Sequence, residues 1–215
     1  MDAIALRRRH LLLGSALGAG ALLAPFRGAG ALEPTQRMMA GPFYPDEIPL
    51  DHDNDLAHVG KSGATARGEI AELTGRVVDV SGRALSDVRV EIWQCDATGH
   101  YHHVGRESGL DPNFQGYGVA TTRADGAYRF RTIKPVRYSG RTPHIHFKLS
   151  GQGIDGLTTQ MFVAGDPNNA DDGIYNSLDP ERRAALTVAF RRDARDGAAY
   201  AAHFEIVLAS DGRSG

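Results

Sequence analysis

From residue 71 onward, hydrophobic and polar positions alternate in short runs, and each run stops at a turn signal. "ELTGRVVDV" predicts a strand that ends at Ser81-Gly82. "VRVEIWQC" alternates with Val88, Val90 and Ile92 on one face. "GVATTR" and "AYRFRTI" flank Asp125-Gly126, a dipeptide that predicts a hairpin because it accepts positive φ. "HIHFKLSG" and "TTQMFVAG" predict two more strands. "DPERRA" predicts a short helix, with Asp179 as cap and Pro180 at its first position. The apolar stretch from Ala184 to Ala209 predicts a closing hairpin around Asp196-Gly197. About seven or eight such strands imply an all-β chain folded as an antiparallel β-sandwich, with one short helix and long loops.

The segment ahead of these strands has a different texture. Residues 32–70 show no period and form an irregular N-terminal arm, containing "GPFYPDEIP" and the acidic "DHDND". A calcium loop starting at Asp51 needs Gly at its sixth position and Glu at its twelfth; Leu56 and Ser62 stand there instead. A loop from Asp166 fails likewise at Ser177. "DHDND" therefore reads as a solvated loop. Further upstream, Arg7, Arg8 and Arg9 precede the Ala-, Gly- and Leu-rich run "HLLLGSALGAGALLAP", and Ala29 to Ala31 has the small-x-small form of a signal-peptidase site. The run is too short and too glycine-rich for a stable membrane span. The layout resembles a twin-arginine signal over residues 1–31. That resemblance implies export of a folded chain to the periplasm or beyond, with a mature start near Leu32; the strand pattern implies one sandwich domain over residues 71–210.

Composition narrows the function. The net charge is -2 without a basic block, so nucleic acid is not the expected partner. Cys95 is the only cysteine; it cannot form an intrachain disulfide and reads as a small buried hydrophobe. No Gly-rich phosphate loop is present, and no Ser-His-Asp arrangement surrounds a nucleophile.

The chemistry gathers around "GRTPHIHFKLSG". On a strand, Ile145, Phe147 and Leu149 share the face toward a core, and His144, His146 and Lys148 share the other. Two histidines at i and i+2 can aim at one metal, or they can be polar residues on a wet face. Pro143 stiffens the approach by holding Thr142 extended. No glutamate follows, no His-Glu-x-x-His occurs, and no carboxylate stands beside the pair to complete a facial triad. Tyrosines are the neighbours that remain: Tyr138 six residues before His144, and Tyr101 at the end of "EIWQCDATGHY".

With these pieces the chain resembles the intradiol ring-cleavage dioxygenases of the protocatechuate and catechol kind. The matching segments are "GPFYP", "LTGRVVDVSGRALSDVRVEIWQCDATGHY", "DGAYRFRTIKPVRYSGRTPHIHF" and "LTTQMFVAGDP". The resemblance implies a prealbumin-like sandwich and one Fe(III) per chain, held by Tyr101, Tyr138, His144 and His146. It further implies that Arg141 and Gln160 act on the substrate and that Tyr138 is the tyrosine that leaves while Tyr101 stays. The expected substrates are a catechol-type diol and O2, and the expected product is a cis,cis-muconate. The stretch from Tyr138 to His144 is shorter than in the well-known family members, and the long N-terminal helical region of the catechol type has no counterpart here. The particular diol stays open. His100, His102 and His103 are expected beside the site or exposed, and His52, His58 and His203 carry no motif. Exposed sheet edges are a route to a homo-oligomer. Two other readings stand at this point: a transthyretin-like or carboxypeptidase-regulatory binding module, in which the histidines are surface groups, and a zinc or copper site on the same pair.

Overall fold

The computed structural model describes residues 31–60, 63–103, 108–154, 156–193 and 197–209. The expected signal segment and the Asp196 half of the last turn lie outside them, apart from Ala31. No helix among the described residues is long and apolar enough to cross a membrane.

Two mixed sheets face each other. The first is built on β1 (Ile70–Asp79), which pairs with β4 (Ala127–Ile133) on one side. On the other side β9 (Tyr200–His203) and then β10 (Ile206–Leu208) run parallel to it, and β8 (Arg191–Arg192) joins β9. The second has the order β3 (Tyr117–Thr121), β2 (Arg89–Trp93), β5 (His144–Ser150), β6 (Leu157–Val163) and β7 (Thr187–Val188). The period-two alternation does what it predicts: Val90, Ile92, Ile145, Phe147 and Leu149 meet Leu73, Val77, Phe130, Ile206 and Leu208 in one core. Phe147 and Phe204 touch across it at 5.1 Å between centroids.

Three expectations need correction. Asp125-Gly126 makes its turn, closed by Gly126 N–H donating to Arg123 O, but the flanking strands do not pair. β3 and β4 leave for different sheets, because Gly126 O accepts from Val77 N–H and draws β4 onto β1. The sheets are not purely antiparallel either, since β1 takes two parallel partners and β7 pairs parallel with β6. Besides the expected helix, α2 (Pro180–Ala185) capped by Asp179, there is a shorter α1 (Gly173–Asn176) capped by Asp172. The closing hairpin exists as β8 and β9.

The "DHDND" stretch is more than a solvated loop. Asp53 and Asn54 expose their side chains, yet the backbone from 52 to 56 runs between two open sheet edges and satisfies both. On β4, Leu56 N–H donates to Arg131 O at 2.7 Å and Arg131 N–H donates to Asn54 O at 2.8 Å. On β3, Val119 N–H donates to Asp53 O at 3.1 Å, and just before it Gln115 N–H donates to Leu56 O at 2.9 Å. Leu56 drops its wholly buried side chain against Gly118, where a Cβ would overlap both Leu56 Cδ1 and Asp53 O. The strap thus removes exposed edges and plugs the sandwich at once. Leu56→Ala is expected to cost about 2–5 kcal/mol of unfolding free energy, the range for emptying a packed leucine site. Denaturant titration measures this, and a loss under about 1 kcal/mol would mean that the strap rests on the sandwich without stabilising it.

Candidate metal centre

The outer face of the second sheet is dry. His144, His146 and Lys148 do share the face opposite the core, but both histidines are 1% exposed. Arm and loops cover them, forming a second apolar cluster of Trp93, Cys95, Tyr101 and Tyr117, joined by Phe43, Tyr44, Val136 and Tyr138. Strand register sets the floor: His146 stands opposite Trp93 on β2 and Gln160 on β6.

Each tyrosine reaches this floor from a turn. Tyr101 ends a loop folded around the buried Asp96, whose carboxylate accepts from Thr98 N–H, Thr98 Oγ1–H, His100 N–H and Asp111 N–H. Burial alone would raise the Asp96 pKa; these bonds outweigh it and hold the group ionised. Gly99, at φ 85°, lets this loop pass close to the Tyr138 backbone. Tyr138 and Arg141 flank a tight turn through Ser139 and Gly140, both at positive φ, closed by Arg141 N–H donating to Tyr138 O at 2.7 Å.

Four rings then close a circuit. Centroids lie 4.9 Å apart for Tyr101 and Tyr138, 5.4 Å for Tyr138 and His144, 4.8 Å for His144 and His146, and 6.2 Å for His146 and Tyr101. Trp93 stacks flat on His146 at 4.8 Å, and Phe43 stacks flat on Tyr101 at 4.4 Å. Arg141 donates through Nη2 to Gln160 Oε1 at 2.9 Å, so every site residue expected from sequence belongs to one neighbourhood. His102 stands beside it, near Asp96, and His100 and His203 are partly or fully exposed. Cys95 is buried, and burial pushes its thiol up to about 12, which suits an inert hydrophobe.

His144 Nδ1–H donates to Thr142 O at 2.6 Å, which leaves a lone pair on Nε2. That lone pair faces His146 Nε2 at 3.2 Å. His146 Nδ1 has no hydrogen-bond partner, and neither has the Tyr101 hydroxyl, although the Tyr138 ring lies edge-on beside Tyr101. Burial lowers the His144 pKa to about 4 and takes His146 well below its ordinary value, so both imidazoles are neutral near pH 7. Burial also raises both phenols, Tyr101 the further. Neutral imidazoles and phenols that ionise only beside a strong positive charge form a donor set that fits a highly charged cation. No three His, Cys, Asp or Glu side chains form a rival cluster among the described residues.

Sequence reasoning missed the cover. Phe43 and Tyr44 lie in the quoted "GPFYP", but nothing in that string says that Phe43 would lie on Tyr101, or that Tyr44 would anchor on Glu91 (2.7 Å) and meet Trp93 edge-on. Asp172, the 2.8 Å partner of Arg141, was hidden in a stretch that reads only as a failed calcium loop.

Comparison with known proteins identifies the family. The dioxygenase family model matches residues 39–210. The protocatechuate 3,4-dioxygenase beta chain of Burkholderia cepacia is 38% identical over 86% of this chain and 83% of its own length. A hydroxyquinol 1,2-dioxygenase of Corynebacterium glutamicum is 28% identical over 94% of this chain and 73% of its own. Among solved structures, the dioxygenase domain of a dioxygenase carbohydrate-binding protein fusion from Streptomyces sp. SirexAA-E is 32% identical, covering 82% of this chain and 99% of that domain with a TM-score of 0.65. These relatives carry chemistry, so the reading as a non-catalytic binding module falls: the chain belongs to the intradiol ring-cleavage dioxygenases.

Proposed function

We propose that Tyr101, Tyr138, His144 and His146 hold one Fe(III), and that the chain opens catechol-type rings between their two hydroxyl-bearing carbons, taking up both atoms of O2. The observation that carries this reading is the closed circuit of two phenols and two neutral imidazoles, with the Nε2 atoms of the histidines facing each other and the Tyr101 hydroxyl buried without a partner. Ferric iron bound there would supply the Lewis acidity that ionises the phenols and activates the diol toward O2.

The chain's own groups do the rest. Tyr138 is half-buried where Tyr101 is 3% exposed, so Tyr138 is the phenol with room to swing out. As it leaves, its Oη can take one of the two protons that a catechol must lose. Arg141 places a permanent positive charge beside the ring, where negative charge accumulates during attack. Its Nε and Nη2 are engaged by Asp172 and Gln160, which leaves Nη1 to meet the substrate. Phe43 and Trp93 keep water off the ligands.

A named relative acts on protocatechuate and another on hydroxyquinol. The stretch from Tyr138 to His144 is short here, and we infer from it a more open entrance that admits catechols with bulky ring substituents. The purified chain with one iron is expected to be red-brown, with a visible band that shifts on anaerobic addition of catechol. Tyr101→Phe should lose the band and more than about 10³-fold in kcat, since all members of a ligand set act together. A chain that stays colourless after iron reconstitution would sink the reading. A bulky 4-substituted catechol should turn over within about tenfold of catechol itself, the discrimination that a tight apolar pocket would otherwise impose. Strict preference for unsubstituted catechol would exclude the open entrance.

The N-terminal residues support a second element of the reading, export through a twin-arginine route. Replacing Arg7, Arg8 and Arg9 by lysine should trap the chain in the cytoplasmic fraction. Unchanged export would exclude that route.

A further inference from the structure

Asp172 is 1% exposed, and the ligand circuit does not include it. Its carboxylate has four donors for four lone pairs. Oδ1 accepts from Ile174 N–H and Tyr175 N–H, both at 2.9 Å, which caps α1. Oδ2 accepts from Arg141 Nε–H and Thr142 N–H, both at 2.8 Å. The cap uses one oxygen only. The other grips the loop that carries Tyr138 and Arg141 to the site.

Each bond constrains the next. Arg141 Nη2 donates to Gln160 Oε1 at 2.9 Å, and Gln160 Nε2 donates to Met39 O at 3.2 Å. The amide cannot flip without losing both contacts. A guanidinium is flat, so fixing two of its nitrogens fixes its plane. The backbone of Thr142 is held on both sides too: Asp172 takes its N–H, and its carbonyl accepts from His144 Nδ1–H at 2.6 Å.

We propose that Asp172 is a positioning residue for ring cleavage, setting the plane of the Arg141 guanidinium without touching the substrate itself. The proposal rests on the dioxygenase reading of the site. A bare capping role predicts otherwise, because asparagine caps as well as aspartate through Oδ1. What asparagine cannot do is accept two donors at the position of Oδ2, where its NH2 group would stand.

A cycle of Asp172→Asn, Arg141→Ala and the double variant tests this in the iron-loaded chain. Asp172→Asn is expected to lower kcat by about 10²-fold, the cost of a misplaced group near the chemistry, with KM changed less. Its iron content and visible band should stay as in the parent. In the Arg141→Ala background the same substitution should change kcat by less than about threefold, because the effect runs through Arg141. Equal losses in both backgrounds would overturn the proposal. Where Asp172→Asn does not fold, Arg141→Lys serves instead: it keeps the charge but cannot bridge Asp172 and Gln160 together. It should lose nearly as much as Arg141→Ala, and activity within threefold of the parent would overturn the proposal. A further readout needs neither metal nor turnover. In the metal-free, 15N-labelled chain the Arg141 Nε–H should be protected from solvent exchange and lose that protection in Asp172→Asn; fast exchange in the parent would exclude the tie. A parent chain that cleaves no catechol would refute the dioxygenase reading separately, with the exchange measurement still deciding the Asp172 contact.

Discussion

The site depends on keeping one sheet face dry that would ordinarily be wet. Any sandwich buries the inner faces of its sheets. Here the outer face of β5 is buried as well, under Phe43, Tyr44 and the two tyrosine loops. Water would otherwise hydrogen-bond the imidazoles and phenols and compete for any cation. Removing it leaves lone pairs and hydroxyls with no partner but each other, and such groups are costly to bury unless a charge or ligand satisfies them. The cover therefore creates the demand that a metal would meet.

The same arm that supplies part of this cover also stabilises the fold. Residues 52 to 56 join the β3 and β4 edges, while Phe43 and Tyr44 lie over the site. Tyr44 is held by a small polar cluster: its hydroxyl donates to Glu91, Tyr117 donates to the same oxygen, and Lys148 lies over the Tyr44 ring. Burial would push the Glu91 carboxyl up, but the two tyrosine hydrogen bonds and the charges of Lys148 and Arg89 win and lower it. A charged carboxylate under the arm is thus a fixed anchor for the wall of the site.

Two buried aspartates divide the work of presenting the tyrosines. Asp96 gathers backbone donors of the Tyr101 loop, and Asp172 gathers donors of the loop that bears Tyr138 and Arg141. Both stay ionised although burial opposes it, because hydrogen bonds to the charged form outweigh desolvation. In the proposed reaction Tyr101 and Arg141 stay in place and Tyr138 leaves, and each of the two loops that carry them has one such anchor.

The chain's own pattern determined the parts that follow from local rules. The alternation in "HIHFKLS" put Phe147 inside and both histidines outside, and Asp179-Pro180 started a helix, because strand period and cap chemistry act within a few residues. The four ring residues were named by the family resemblance of their segments, and the fold brings them together. Which strands pair was not. Asp125-Gly126 carries a hairpin signal, yet β4 goes to β1, since the choice lies with a partner strand some fifty residues away in the chain. The dry outer face was equally invisible: an irregular arm has no period to announce where it packs. Nor could Asp172 be assigned, because a carboxylate's partner is decided by which donors the fold brings within reach, and only the tertiary structure brings Arg141 and Thr142 there.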